Sequence, residues 1–364
     1  MSLRPCPDPS GAAPAAPARG PILTPLQHHR QAPADTTGAH TALDLRVFGP
    51  TEPGTVAQPA LLQPAAEVTE RWCSDTAAAL QAGRHGCTSW RSDGCWLWVR
   101  AVIDERQVDG GLQEAARRLY GDLFTLLRQQ ADRLGRALHV VKVWNYLADI
   151  NGTDPLHGLE RYRLFNIGRQ DAFLDAGQSA FAGAPAACAL GTHRGPLTVW
   201  LLAGPVASRV VENPRQTSAY HYPGDYGPRA PTFSRAALAD AGGGRELLVI
   251  SGTASIVGHL TRHAGDVERQ TGETLDNLEA VLGAAAPAAR ARHGLDTLVL
   301  TVYLRHARDL PVVQRVLADR LGADSPALRG ALFLLADVCR ADLLVEIEAH
   351  SLQACSPMSI PTPA

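Results

Sequence analysis

The chain has 364 residues, 45% of them hydrophobic and 5% aromatic, and a formal net charge of −2. That length suits two domains and a sizeable core, while the near-neutral charge and scarce aromatics argue against a nucleic-acid partner. No apolar run reaches membrane-spanning length and the N-terminus lacks a continuous apolar leader, so a cytoplasmic protein away from membranes is expected.

Residues 1–42 are rich in Pro and Ala with scattered charge. They are expected to form a disordered arm, because they bury too little apolar surface to offset ordering entropy. Residues 43–49 and 95–103 read as strands from their β-branched and aromatic content. Residues 112–137 read as a long amphipathic helix, with Leu112, Ala116, Leu119, Leu123, Leu127, Ala131 and Leu134 at three- and four-residue steps. A strand follows at 139–148. The second half repeats this order: strand 246–251, helix 266–282, strand 297–304, helix 311–322 and strand 343–349. The segments VVKVWNYLADI (140–150) and LVLTVYLRHAR (298–308) each follow a long helix and keep a Tyr-Leu pair, which suggests a duplicated unit with a cleft between the copies. The expectation is an α/β (α+β) fold with an N-terminal α/β domain over 43–205, a C-terminal one over 206–350 and a flexible tail over 351–364.

Basic residues are almost all arginine, and Lys142 is the single lysine. An anion site here must rely on guanidinium forks, which suit carboxylates. The seven cysteines form no CxxC pair, so neither a disulfide framework nor a structural zinc site is expected. His221, His259 and His263 lack a tight ligand spacing, HExxH is absent, and no phosphate-cradling glycine loop occurs, so neither metal nor cofactor is expected. Cys188 has no indicated histidine partner, and SGTAS is not GxSxG.

Two resemblances follow from the motifs. ISGTAS, GDVERQTGETLDNLEAVL, TVYLRHARDLPVVQRVL and VEIEA, over roughly 246–350, resemble the YjgF-like deaminases, trimers with ligand sites between subunits. NYLADING (145–152), GLERYRLFNIGRQDAF (158–173), PAACALGT (185–192), YHYPGDYGPRAPTFSRA (220–236), ISGTASIVGH (250–259) and VEIEAH (345–350) together resemble the chorismatases. The resemblance implies two YjgF-like units in one chain imitating neighbouring subunits of the trimer, hence a monomer. It implies cleavage of pyruvate from chorismate without metal or organic cofactor.

Chorismate offers two carboxylates, a ring hydroxyl and an enol ether. Cleaving the enol ether starts with a proton added to the terminal methylene carbon, which needs a carboxylic acid kept neutral by burial and nearby anions. Alternation in the last strand puts Glu346 and Glu348 on one face. By pattern alone, two glutamates meeting water or arginine on a half-exposed strand is the plainer account. The resemblance matches Glu346 to the family's proton donor and leaves Glu348 for a structural partner. Arg163 and Arg229 are the favoured carboxylate grips, with Arg161 and Arg169 in reserve; each taken singly also fits a solvated surface charge. Tyr220, Tyr222 and Tyr226 lie in a Pro/Gly-rich loop, where phenols can bond a carboxylate and wall off a ring. Asn145 and Tyr146 are weaker candidates.

In the family, Gly in the ISGTAS-like segment and Cys seven residues before the catalytic Glu mark the branch that forms 3-hydroxybenzoate. The branch hydrolysing chorismate to a dihydroxycyclohexadiene acid has Ala and Val there. Gly252 and Cys339 fit the former, with the thiol near the reacting oxygen. The readings left open are the hydrolytic branch, mixed 3- and 4-hydroxybenzoate, an imine deaminase and a non-catalytic binder of aromatic acids.

Overall fold

Turn glycines and alternating apolar strands fold the middle of the chain into two α/β units in tandem. The structure, a computed structural model, describes residues 23–31, 42–49, 57–75 and 79–356. In chain order come β1 (Leu26–Gln31), β2 (Ala42–Phe48), β3 (Ala60–Gln63) and β4 (Val68–Ser74). Then follow β5 (Gln81–His85), β6 (Thr88–Ser92), β7 (Leu97–Ile103), helix α1 (Gly111–Leu134), β8 (His139–Ala148), helix α2 (Arg161–Asp175), β9 (Ala186–Thr192) and β10 (Leu197–Gly204). The second unit has β11 (Arg209–Val211), β12 (Ala236–Gly242), β13 (Arg245–Ala254), the small hairpin β14 (Ile256–Val257) and β15 (Leu260–Thr261), and helix α3 (Val267–Ala285). It ends with β16 (Val299–Leu304), α4 (Leu310–Leu321), α5 (Pro326–Arg329), β17 (Leu332–Leu335), β18 (Asp337–Val338) and β19 (Val345–Ala354).

Among the described residues the two main sheets run β18-β9-β8-β10-β7-β6-β5 and β11-β12-β13-β19-β16-β17-β3. Their centres share one topology. The order β6-β7-β10-β8-β9 in the first matches β12-β13-β19-β16-β17 in the second, and the single parallel pairs, β8/β9 and β16/β17, correspond. The two copied segments are β8 and β16. Their equivalent tyrosines meet, Tyr146 OH lying 2.9 Å from Tyr303 OH. The fold class is thus the expected α+β arrangement of two α/β units. The chain crosses between the sheets at 205–208, but β3 joins the second sheet and β18 the first.

Each sheet has helices on its outer face and shares its inner face. Helices α1 and α2 cover a core of Leu119, Leu123, Phe124, Phe165 and Phe173 on the first. Helix α3 and α4 cover Leu275, Leu278, Val313 and Leu317 on the second. Between the sheets lies a third core with Trp72, Trp98, Trp144, Tyr146 and Tyr303. Helix α1 stops at Gly135, whose φ of 62° is left-handed, so it ends short of the expected residue 137. Helix α2 was not expected. It packs so closely on α1 that a Cβ at Gly168 would overlap the Gln113 carbonyl oxygen. Its buried face carries Asn166, Arg169 and Gln170, which breaks the apolar period that signals a helix.

The expected disordered arm is corrected within it. Strand β1 pairs antiparallel with β4, in a three-stranded sheet β1-β4-β2. Its sequence is polar because it faces a charged interior. Arg30 donates from Nε to Glu70 Oε1 (2.8 Å) and from Nη1 to the Leu300 carbonyl (2.5 Å), and His28 Nε2 lies 3.1 Å from the same carboxylate. Arg46 also pairs with Glu70. Burial opposes ionisation of Glu70, yet Arg46, Arg30 and His28 hold its pKa well below the usual carboxylate range. The expected tail is corrected too, since β19 runs to Ala354 and pairs Ser351 with Leu248 of β13. The expectations for residues 1–22, 32–41 and 357–364 lie outside the described residues.

A chain lacking residues 1–31 removes Arg30 and His28 from a buried carboxylate. Unpairing a buried ion pair costs about 3–5 kcal/mol. Thermal denaturation should show a clear fall in melting temperature; an unchanged melt would mean that β1 is dispensable.

Candidate active site

A cavity of about 430 Å³ opens between the two units, within the usual range for small-molecule sites. The first unit contributes Tyr162, Arg163 and Arg169 from α2 and Ala187 to Ala189 from β9. The second contributes Gly252 and Ala254 from β13, Glu346 from β19, and Cys339 to Asp342 from the loop before it. Tyr222, Tyr226, Phe233 and Arg235 wall the side between them.

The register of β13 explains the placing of the carboxyl. Strand β13 pairs with β19 from Arg245 to Ile250 and again from Thr253, with an irregularity between. Ser251 and Gly252 form this bulge, which re-aims the strand beside the site. Ser251 Oγ donates to the Ser234 carbonyl (2.5 Å) and accepts from the Ala187 N–H (2.9 Å), tying three segments together. Glu346 lies against Gly252, and a Cβ there would overlap Glu346 Oε1 and press on Cys188. Among the described residues Glu346 has no hydrogen-bond or ion-pair partner, and it is only 4% exposed. Burial first, then the Glu348 carboxylate, raise its pKa to about 8, against the opposing pull of Lys142 and Arg235. Near neutrality it is therefore a carboxylic acid with its proton available.

Glu348, on the same face, is the opposite case. Trp144 Nε1 (3.1 Å) and Tyr303 OH (3.0 Å) donate to its Oε1, and Lys142 Nζ lies 3.3 Å from Oε2. The structural partner expected for Glu348 is thus a set of three. Cys339 borders the cavity, half-buried. Burial, and then the Glu346 charge, push its thiol up to about 12, so it stays protonated. Cys188 lies behind Gly252, its thiol pushed well above the ordinary value by burial and by Glu348.

The arginines sort differently from the expectation. Arg163 and Arg169 line the cavity. Arg169 is buried, its guanidinium 5.2 Å from the Tyr120 ring centre, with Nε and Nη2 unpartnered. Arg229 is corrected. It is paired at the surface with Asp171 (3.1 Å) and lies off the cavity lining. Two arginines that the sequence reading passed over do line the cavity. Arg235 donates from Nη2 to Tyr222 OH (2.8 Å), and its buried Nε has no partner. Arg340 stacks 4.2 Å from the Tyr226 ring centre and 5.1 Å from that of Tyr222, donates to the His259 carbonyl (2.8 Å), and keeps a buried, unpartnered Nη2. Unpaired buried N–H groups on residues that border a cavity are chemically suited to an anion. A signal existed for both. Arg235 closes the quoted segment ending TFSRA, and Arg340 directly follows Cys339.

Tyr222 and Tyr226 line the cavity as expected wall residues. Tyr220 is corrected. It faces Glu212, its hydroxyl 3.4 Å from Oε1, outside the lining. Tyr146 is corrected as well; it is buried in the core behind the site and bonded to Tyr303. Asn145 donates to the Cys188 carbonyl (2.7 Å) and so steadies β9. Among the described residues no group of three or more His, Cys, Asp or Glu side chains is placed to hold a metal ion, and no helix is long and apolar enough to cross a membrane.

A buried neutral acid and several arginines around one cleft form an arrangement chemically suited to protonating a small anionic molecule. Comparison with known proteins gives the family. Residues 70–203 match the family described as chorismatase FkbO/Hyg5-like, N-terminal. A 3-hydroxybenzoate synthase of Streptomyces hygroscopicus is 37% identical over 299 residues, covering 79% of this chain and 83% of that protein. A chorismatase of the same organism is 42% identical over 289 residues, covering 77% and 78%. A crystal structure of a chorismatase superposes with a TM-score of 0.78 at 31% identity, over 91% of this chain and all of that one. The chain belongs to the chorismatase family and is an enzyme.

Arg235→Ala and Arg340→Ala should each weaken binding of a cyclic carboxylate. A hydrogen bond to a charged group is worth about 1.5–3 kcal/mol, or roughly 10- to 100-fold. Arg229→Ala should leave affinity unchanged. Calorimetric titration with a benzoate-type inhibitor checks all three; equal losses at Arg229 and Arg340 would return Arg229 to the site.

Proposed function

We propose that this enzyme converts chorismate to 3-hydroxybenzoate and pyruvate, with Glu346 as the proton donor and neither metal nor organic cofactor. The observation that carries this reading is the buried Glu346 carboxyl, raised to about 8 by burial and by Glu348, in a cleft whose arginines have free N–H groups. The relatives named for 3-hydroxybenzoate synthesis and chorismatase activity support the substrate.

Arg235, Arg340, Arg163 and Arg169 hold the two carboxylates, while Tyr222, Tyr226 and Phe233 wall off the ring. Glu346 then gives its proton to the methylene carbon of the enolpyruvyl group. The ring C–O bond breaks, the ether oxygen leaves with pyruvate, and the neighbouring ring hydroxyl oxygen bonds to the vacated carbon as its proton passes back to the Glu346 carboxylate. Reopening of that three-membered ring with loss of a ring proton restores aromaticity, and the atoms balance with no water added. Gly252 supports this route by letting the acid lie against the backbone. Cys339 supports it as a thiol able to donate a weak hydrogen bond beside the departing oxygen. One chain suffices in this reading, because β1-β4-β2 closes the interior that the two large sheets share. The free cysteines among the described residues suit a reducing cytoplasm.

Glu346→Gln should lower pyruvate release by about 10²–10⁴-fold, the usual worth of a positioned acid, and leave inhibitor binding intact. Since the acid works protonated, wild-type turnover should fall as pH rises through about 8. Near-normal turnover in Glu346→Gln, or a flat profile across that range, moves the acid elsewhere.

Gly252→Ala with Cys339→Val displaces the carboxyl by the overlap described above and removes the thiol. Chromatography of the products should show a shift from 3-hydroxybenzoate toward the dihydroxycyclohexadiene acid. Unchanged product at the original rate would defeat the assignment of these two positions.

A further inference from the structure

Lys142 is the single lysine of a chain that otherwise uses arginine, and it is buried in the interior rather than at the surface. Its Nζ donates to the Ile250 carbonyl (2.7 Å) and lies 3.3 Å from Glu348 Oε2. Ile250 is the last paired residue before the bulge that carries Gly252, against which the Glu346 carboxyl rests. One ammonium group therefore holds both the charged neighbour of the acid and the backbone beside it. Lys142 does not line the cavity, so it has no contact with a ligand there.

We propose that Lys142 is a positioning residue for the reaction: by neutralising Glu348 and fixing the backbone at the bulge, it governs the proton on Glu346. The inference rests on Glu346 as the proton donor. The groups facing Glu346 come from every element around it. Glu348 lies on β19, Lys142 on β8, Cys188 on β9, Arg235 just before β12, Cys339 after β18, Tyr162 on α2 and Tyr303 on β16. Of these, Glu348 raises the Glu346 pKa, while Lys142 and Arg235 lower it. The two cysteine thiols and the Tyr162 and Tyr303 phenols have raised pKa values and stay neutral. A compact ammonium on a flexible stem suits this role better than a planar guanidinium fork, because it meets a carbonyl and a carboxylate at one point.

The signs can be worked out in advance. Glu346 acts in its protonated form, so turnover is lost as pH rises through its pKa. Lys142→Met removes a cation that favours the ionised form and leaves the Glu348 charge unopposed. The alkaline limb of the pH–rate profile should move up by about one pH unit, the low end for an adjacent charge. Glu348→Gln removes the anion and should move that limb down. The double variant removes both charges and should lie above Glu348→Gln; it reads the Lys142 effect without an unpaired buried charge, should Lys142→Met alone fail to fold. Inhibitor affinity should stay within about threefold in each, because Lys142 touches no ligand.

A second readout is independent of turnover. Labelling with ¹³C-lysine gives one side-chain signal, and that signal should step with pH near 8 in the wild type and lose the step in Glu346→Gln. Limb shifts of opposite sign together with this step support the inference. A step without any movement of the rate profiles also supports the coupling, and overturns instead the assignment of Glu346 as donor. Absence of the step, or rate profiles that move while the double variant's limb lies no higher than that of Glu348→Gln, overturns the inference.

Discussion

Strand β19 forces two carboxylates onto one buried face, and the site is built around that conflict. Two neighbouring glutamates in a low-dielectric interior cannot both ionise at small cost. The fold resolves the conflict by unequal treatment. Glu348 receives Trp144, Tyr303 and Lys142. Glu346 has no hydrogen-bond partner among the described residues and has a glycine backbone to lie against. One residue is thereby given donors and a cation while the other is left holding a proton, the kind of separation on which acid catalysis by a carboxyl group depends.

The tandem architecture shows why the chain has one such site rather than two. Tyr146 pairs with Thr198 of β10 as Tyr303 pairs with Glu346 of β19, so Thr198 occupies the place in the first unit that Glu346 occupies in the second. By the same register Trp200 stands where Glu348 does. The first unit carries no carboxylate at either position of its version of the strand, and Thr198 Oγ1 accepts a hydrogen bond from the Ala57 backbone N–H (2.9 Å), which covers the position. The N-terminal residues that read as an arm supply β1 of a third sheet, β1-β4-β2, which closes the charged interior. Glu70, Arg30 and Arg46 there are buried together with the tryptophans, so this sheet belongs to the core that carries the acid.

Strong periods were legible in the sequence. Helices α1 and α3 and strands β8, β16 and β19 repeat apolar residues at steps that match their burial. Elements with polar buried faces were not. Helix α2 turns Asn166, Arg169 and Gln170 inward, and β1 turns polar residues toward Glu70, so neither has the apolar pattern that marks an element. In the site, Glu346 and Gly252 were assigned by resemblance because each sits in a short motif, and Cys339 by its spacing of seven residues from Glu346. The arginines could not be ranked in the same way. Arg229 and Arg340 look alike in sequence, and only three-dimensional neighbours show that one is paired with Asp171 while the other is stacked between tyrosines with a free N–H.

The arginines also act on the acid. Arg235 favours the ionised form of Glu346, so in the proposed reaction a group assigned to hold the substrate works against the proton to be delivered. In the proposed reaction this opposition is removed by the substrate. Its two carboxylates neutralise the guanidinium groups as they bind and add negative charge beside Glu346, and both changes favour the neutral acid. Binding would also displace water from a cleft bordered on one side by Tyr222, Tyr226 and Phe233, which strengthens the remaining electrostatic interactions. The stacking of Arg340 on Tyr222 and Tyr226 fixes its guanidinium before the substrate arrives, so little ordering remains to be done at the moment of proton transfer. In the proposed reaction, then, the acid is made ready by the molecule it is to protonate.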